Sequence, residues 1–323
     1  MQWFTNRPIR KFVSFLIAGS LTCVFLLLVT NEDKESEIRM QTNENMEYLQ
    51  VYLMDEEKML IPLAIAQEEV QDSKSQIEVM LGYLSGEQKM DGFSSFFSKE
   101  DIYDTIEVRD ACAILDLNEN FLSYEPELEL QMLESIVWGC TQFPDVKEVV
   151  LTLEGKKLTT LPLAQTPLLQ PLTRAIGINQ FESSNASLHD TASILVYGIK
   201  NIDGIHYLVP KSRRVDLQEM ASLESQVAAV IEDLSISSSL SSTMQRHALE
   251  IRLLEEGIVE LTLDQSMYSS DQSIKKDDVN ALILSLCALN DVNGIQLQCT
   301  HLVQGCEEQK IYTSEELQYN ILN

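Results

Sequence analysis

The chain contains few basic residues for its length, and this scarcity restricts its partners. Its 323 residues include 23 lysines and arginines against 50 aspartates and glutamates, which gives a formal net charge of −27. Nucleic acids and anionic lipids are bound through basic patches, and no lysine- and arginine-rich run interleaved with aromatic residues occurs. The composition therefore predicts no nucleic-acid partner and favours other proteins as partners.

The chain also lacks the short motifs that commonly carry catalysis. It has no nucleophile elbow, Walker loop, dinucleotide fingerprint or HExxH zinc motif. Its four histidines, His189, His206, His247 and His301, lie at scattered positions along the chain. Carboxylate pairs are frequent because the chain is acidic, so they do not indicate an acid–base site. We expect no catalytic residues, no cofactor and no bound metal.

One segment superficially fits a calcium-binding loop. Asp116, Asn118, Asn120 and Glu127 occupy its first, third, fifth and twelfth positions. However, Phe121 stands at the sixth position, where the sharp turn needs glycine. We therefore favour a strand that leads into a loop.

The six cysteines give a modest signal. Cys299 and Cys306 bracket a short segment whose Gly305 can close a hairpin, and the exported location allows a disulfide between them. With His301 they would supply three zinc ligands, but no fourth ligand lies at a convincing spacing. A structural hairpin is preferred over a metal site, and a disulfide between Cys299 and Cys306 is one form that it can take.

A single uncharged run marks the N-terminal region. Residues 12–29 carry no charge and reach the lower length limit of a bilayer-spanning helix. Basic residues precede the run and mainly acidic residues follow it, which predicts that residues 1–11 are cytoplasmic and that everything after residue 30 lies outside. We predict an uncleaved signal anchor at 12–30 and a polar stalk at 31–47. A cleaved signal peptide and a lipid anchor on Cys23 are the alternatives.

The second half of the chain repeats the first about 146 residues later. The positions that persist are apolar and have helix or strand spacing: Ile77, Leu81, Leu84, Leu115, Leu117, Leu133, Ile136, Val137 and Cys140 recur as Leu223, Val227, Val230, Leu261, Leu263, Val279, Leu282, Ile283 and Leu286. Polar positions change freely. A hydrophobic core was duplicated without a set of reactive side chains, which favours a tandem interaction module over an enzyme.

The order of strand and helix patterns in each copy is β-β-α-β-β-α-β, which predicts an α+β fold with a small sheet and two helices on one face. The first copy spans 48–160 and the second spans 193–306. A proline-containing linker at 161–192 joins them, and we expect its first half to pack against the domains. Residues 307–323 are expected to form a C-terminal tail.

Helices on one side of a sheet leave the other face available for contacts. We expect interactions, self-association included, along the strands that contain Val51, Tyr52, Leu53, Leu115, Leu117, Val196, Tyr197, Leu261 and Leu263. The alternative hypothesis is an extracytoplasmic ligand-binding or catalytic protein whose site lies between the two copies.

Several stretches resemble the GerM-type sporulation and germination domain. These are Val51 and Tyr52, 82–88 with 92–96, 114–121, 141–156 and 167–182. In the second copy the resemblance is weaker and is best at Val196, Tyr197 and 291–295.

The resemblance implies two tandem GerMN domains on the outer face of the membrane of a spore-forming bacterium. It also implies a fold akin to ring-building motifs and a role in assembling an envelope or sporulation complex, without catalytic residues. Well-known members of that family look like lipoproteins, whereas this chain carries a predicted membrane helix.

Overall fold

The apolar spacing along the chain forms strands and helices in both copies. The computed structural model describes residues 47–67, 71–180, 191–236, 249–263, 267–269, 273–299, 310–313, 317 and 319–322. Within these residues no helix is both long and apolar enough to cross a bilayer. The anchor predicted at 12–30 and most of the predicted stalk lie outside them, so both stay predictions.

The first copy follows the predicted order of elements. Its strands and helices are β1 Glu47–Met54, β2 Leu60–Gln67, α1 Ser73–Leu84, β3 Tyr103–Arg109, β4 Cys112–Leu117, α2 Glu129–Cys140, β5 Glu148–Leu153 and β6 Lys156–Lys157. Short 3-10 turns occur at Glu119–Ser123, Pro126–Leu128 and Arg174–Ile176. Asp72 begins α1, because its carboxylate accepts a hydrogen bond from the backbone N–H of Ser75 at 2.7 Å.

The second copy repeats this order. It contains β7 Thr191–Ile202, β8 Ile205–Asp216, α3 Leu223–Ile236, β9 Leu249–Leu253, β10 Ile258–Leu263, α4 Lys276–Cys287, β11 Gly294–Cys299 and β12 Ile311–Tyr312. Asp203 and Gly204 turn the β7–β8 hairpin, and both have positive φ, as such a tight turn requires.

Each copy contains two sheets, whereas the sequence predicts one. A two-stranded hairpin stands apart from a four-stranded sheet, with hairpins β1–β2 and β7–β8 and sheet orders β3-β4-β5-β6 and β9-β10-β11-β12. In both larger sheets the central pair is parallel, because a helix connects its strands. The alternating pattern identifies strands, but it does not state which strand edges pair. The two sheets of the first copy share one hydrophobic core, and α1 contacts both of them.

Close helix packing in the first core depends on one glycine. Gly139 in α2 lies directly against the side chain of Met80 in α1. A Cβ at residue 139 would stand only 2.0 Å from the Met80 sulfur, so no larger residue fits without displacing that side chain. Ile77, Leu81 and Ile136 are also fully or almost fully buried.

Strand β8 belongs to both cores. Tyr207 and Val209 lie in the first hydrophobic core, whereas Leu208 between them lies in the second. The ring of Tyr207 meets the ring of Phe93 edge to face, with centroids 5.6 Å apart. All the described residues accordingly lie in one compact unit.

Segments expected to be linker and tail are built into this unit. Leu161, Leu168, Leu172 and Ile178, from the first part of the predicted linker, lie in the first core. The sequence predicts a tail at 307–323, yet within it Leu317 and Tyr319 belong to the second core.

A buried carboxylate fixes the start of the linker segment. Oε1 of Glu129 accepts hydrogen bonds from the Tyr124 hydroxyl and from the backbone N–H groups of Leu163 and Ala164. Oε2 accepts from the N–H and the hydroxyl of Thr166. Burial acts to raise the pKa of Glu129, but the hydrogen bonds from Thr166, Tyr124 and Ala164 outweigh it, so the net pKa is below its usual value.

We expect Glu129→Gln to lower the free energy of unfolding by about 2–3 kcal/mol, because an amide nitrogen then faces donors that need an acceptor. The folded pKa is depressed, so this stabilisation is present above the ordinary carboxyl pKa and is lost as pH falls through the folded value. Urea unfolding at several pH values measures it. The exposed neighbour Glu125→Gln is the control, and equal effects of the two substitutions would contradict the assignment.

Candidate functional site

The nine strand residues proposed for contacts are interior residues. Val51, Tyr52, Leu53, Leu115, Leu117, Val196, Tyr197, Leu261 and Leu263 are at most 8% exposed and lie in the two hydrophobic cores. Side chains buried to this extent cannot contact a partner of the folded protein. Successive side chains on a strand point to opposite faces, so surface contacts on β4 and β10 must use the alternate residues.

The alternate residues differ between the two copies. In the first four-stranded sheet, Ile114 and Val150 are register partners on the parallel pair β4–β5, and both are partly exposed. In the second sheet the corresponding partners are Glu260 and Gln296. Glu260 accepts a hydrogen bond from Gln298 and lies 3.6 Å from the Arg252 guanidinium. The two copies therefore differ at these positions: Ile114 and Val150 are apolar and partly exposed, whereas Glu260 is buried and Gln296 is polar and partly exposed.

The polar side chains at the junction of the two copies bond to protein groups. Asn179, Asn320 and Ser212 are each at most 5% exposed and form hydrogen bonds across the junction. A ligand site between the copies needs polar side chains that point into a cleft. These three side chains do not provide one, because their polar atoms are already bonded to the protein.

An ion pair also crosses the junction. Nζ of Lys200 in β7 lies 2.5 Å from Asp55 and 2.8 Å from Glu57, both in the β1–β2 turn. Burial acts to lower the pKa of Lys200, but hydrogen bonds and attraction from the two carboxylates raise the pKa above its usual value. Lys200 therefore stays charged and ties the second hairpin to the first.

Three tyrosines and a tryptophan fill the interior nearby. The rings of Tyr52 and Trp138 meet edge to face at 6.1 Å, and the Tyr319 hydroxyl donates to the Tyr197 hydroxyl at 3.4 Å. Burial raises the pKa of Tyr197 to about 12 and raises that of Tyr52 further. These phenols remain neutral at physiological pH and act as packing residues.

Sequence reasoning missed one unusual acid at the junction. Glu134 lies on α2, is 2% exposed and accepts a hydrogen bond from the Asn179 N–H at 3.1 Å. Burial raises its pKa from 4.5 to about 7, and this single backbone hydrogen bond only partly offsets the effect. The available signal was a charged residue between Leu133 and Ile136 on the buried face of a helix.

The described cysteines do not resemble catalytic thiols. Burial raises the pKa of Cys140, and burial together with Glu148 raises that of Cys112, so both favour the unreactive thiol form. Cys287 is partly buried, and its thiol donates a hydrogen bond to the backbone carbonyl oxygen of Tyr312 at 3.9 Å. Cys299 is disulfide-bonded, whereas Cys306 lies outside the described residues, so its pairing with Cys299 stays a prediction.

The remaining candidate ligands have structural roles where they are described. Asp116 accepts hydrogen bonds from the Thr152 hydroxyl and the Gly155 N–H, and Asn118 caps a 3-10 turn. His206 lies 2.7 Å from a carboxylate oxygen of Asp277. His189, His247 and His301 lie outside the described residues. Among the residues that are described, no group of three or more His, Cys, Asp or Glu side chains is placed to hold a metal.

Two α+β copies fused into one unit, with hairpins at their junction, define a tandem-domain architecture. A solved structure, the tandem GerMN domains of the sporulation protein GerM from Bacillus subtilis, has this fold with a TM-score of 0.71. It is 21% identical, and the match covers 86% of this chain and 99% of that one.

The family relationship rests on sequence. Residues 50–159 match the family model Germane, described as sporulation and spore germination. The spore germination protein GerM of Bacillus subtilis (strain 168) is 26% identical over 200 residues, which cover 59% of this chain. The match spans only 54% of that curated relative. Residues 50–159 therefore match the Germane family, and the described fold is similar to that of tandem GerMN domains.

We expect Glu134→Gln to increase the free energy of unfolding at pH 8 by about 2–3 kcal/mol, because it removes a buried charge and keeps an acceptor for the Asn179 N–H. The folded pKa is raised, so the wild-type protein loses stability as pH rises from about 4.5 to about 7. The variant lacks this decline.

Urea unfolding between pH 4 and pH 8 tests this expectation. Glu127→Gln, at an exposed position in the 3-10 turn before α2, is the control. Its free energy of unfolding should vary with pH as that of the wild-type protein does. If the free energy of unfolding of Glu134→Gln falls with pH as steeply as that of the wild-type protein, a raised pKa of Glu134 is not the cause of the decline.

Proposed function

We propose that this chain is a non-enzymatic, membrane-anchored protein that helps to assemble an envelope complex during sporulation or germination. The match of residues 50–159 to the Germane family carries the proposal, because that family is described by this process. The similarity to a spore germination protein of Bacillus subtilis supports the same process.

The location follows from the N-terminal sequence. The uncharged run at 12–29, preceded by basic and followed by acidic residues, anchors the chain with its two GerMN domains outside the cell. The partners are accordingly envelope or sporulation-complex proteins, and a second copy of the chain is also a candidate.

A non-enzymatic role agrees with how the described reactive groups are used. Glu129 is held by five donors from its own chain, and the Cys140 thiol is fully buried. Glu134 has a raised pKa, as many catalytic acids do, but it is buried against the Asn179 backbone and not in an open site. These three side chains are enclosed in the protein interior and do not line an open site.

The outward face of the first four-stranded sheet is the contact surface that we favour. Ala113 and Leu115 are buried beneath the helices, which leaves Ile114 and its register partner Val150 on the opposite face. The equivalent residues of the second copy are Glu260 and Gln296, so an apolar contact here would belong to the first copy alone.

The biological role can be tested by deleting the gene in a spore-forming host that encodes the chain. We expect fewer heat-resistant spores, and a plasmid copy of the wild-type gene should restore their number. A deletion strain that forms and germinates spores at the wild-type frequency would reject the proposal.

The contact face can be tested with Ile114→Thr and Val150→Thr combined. Threonine keeps the β-branched shape that strands favour but removes apolar surface, so the fold should persist while partner capture falls. Crosslinking and pull-down of the tagged full-length chain from differentiating cells measures the capture.

Thr262→Val, on the outward face of the second copy, is the matched control and should leave capture unchanged. Equal capture by the wild-type chain and the folded Ile114→Thr, Val150→Thr variant would show that the contact lies elsewhere.

A further inference from the structure

The two copies exchange short segments across their junction. After the first copy, residues 177–179 reach β8 of the second: the Ser212 N–H donates to Ile178 O at 2.8 Å. At the end of the chain, residues 319–322 reach β2 of the first copy, where the Ala64 N–H donates to Asn320 O at 3.0 Å. The segment that follows each copy thus bonds to the hairpin of the other copy.

Each segment carries an asparagine that contacts both hairpins. The Asn179 carboxamide accepts from the Leu60 N–H and donates to Leu60 O, both at 2.8 Å. Its Nδ2 also donates to Pro210 O in the other copy, at 2.9 Å. This one side chain therefore joins β2 to β8.

The second asparagine makes the same bonds with the copies interchanged. Asn320 accepts from the Leu208 N–H and donates to Leu208 O, both at 2.8 Å. Its Nδ2 donates to Pro62 O at 2.7 Å. Leu60 and Pro62 recur in the sequence as Leu208 and Pro210, so the two junction sites are repeats of each other.

Asparagine and proline are well suited to these junction positions. Asn179 and Asn320 have φ of 50° and 55°, a left-handed conformation that asparagine tolerates better than most residues. Both are only 5% exposed, so an unbonded carboxamide would be costly there. Pro62 and Pro210 lack an N–H, so the outer edges of β2 and β8 cannot form regular ladders at those points.

We propose that Asn179 and Asn320 form a reciprocal latch that holds the two GerMN domains as one rigid body, with the outer edges of both hairpins closed to other chains. This inference rests on contacts within the chain and does not depend on the proposed function. Because each asparagine bonds to both hairpins, the hydrogen bonds at the Asn179 site cannot open without those at the Asn320 site.

Amide hydrogen exchange of the full-length wild-type chain tests the latch without any substitution. The N–H groups of Leu60, Ala64, Leu208 and Ser212 all bond to the exchanged segments rather than within their own hairpins. We expect these four amides to exchange through one common opening in low concentrations of denaturant. Separate opening energies for Leu60 with Ala64 and for Leu208 with Ser212 would overturn the proposal.

Two substitutions test whether each asparagine stabilises amides in both copies. Glycine keeps the positive φ and removes the carboxamide, so Asn179→Gly should accelerate exchange at Leu60 and also at Ser212 in the other copy, by about tenfold or more. Asn320→Gly should do the same at Leu208 and Ala64. Acceleration confined to Leu60 and Leu208 would reject the latch.

Asp110→Gly is the matched control for the glycine variants. Asp110 is exposed in the β3–β4 turn and has φ of 51°, so this substitution changes a residue of similar conformation away from the junction. Its exchange at the four junction amides should equal that of the wild-type chain.

Discussion

The described structure depends on the burial of β8 between two hydrophobic cores. Tyr207 and Val209 enter the first core and Leu208 enters the second, so neither core is complete without this strand. Because a strand alternates its side chains between two faces, it can serve two interiors at once. Hydrogen bonds from Asn179 and Asn320 to the backbone of β8 then fix the position of this strand, since hydrophobic packing is not directional.

This arrangement holds the two duplicated copies in a fixed relative orientation. Two copies of one core, joined only by a flexible linker, would move independently. Here the exchanged segments, the ion pair of Lys200 with Asp55 and the contact of Phe93 with Tyr207 hold the copies together. Under the proposed function, the protein presents two different outward sheet faces, one with Ile114 and Val150 and one with Gln296, in a constant relative orientation.

Local patterns predicted the elements well. The order of strands and helices, the tandem repeat and the helix after Pro126 follow from apolar periodicity and turn residues, which are local properties. The division of each copy into two sheets was not predicted, because strand pairing is decided by long-range packing. The packing of the first half of the linker was expected and is confirmed, because Leu161, Leu168 and Leu172 lie in the first core. The contacts of 319–322 were not predicted, because their buried residues have no regular spacing and are positioned by distant partners.

The candidate site was predicted less well. The nine strand residues were chosen because they are apolar and repeated, and those two properties identify a core rather than a surface. Asn179, Asn320 and Glu134 are polar residues whose importance appears only when the second copy is placed against the first. For the two asparagines the only signal was the recurrence of their partners Leu60 and Pro62 as Leu208 and Pro210, and for Glu134 it was a charge on the buried face of a helix.

Equilibrium unfolding of the full-length chain in urea tests the central claim most directly. Trp138 reports the first copy near the junction once Trp3 is replaced by phenylalanine, and far-ultraviolet circular dichroism reports both copies. If the tandem is one rigid body, both signals will follow a single transition with the same midpoint. Two resolved transitions, with Trp138 following only one of them, would contradict the account.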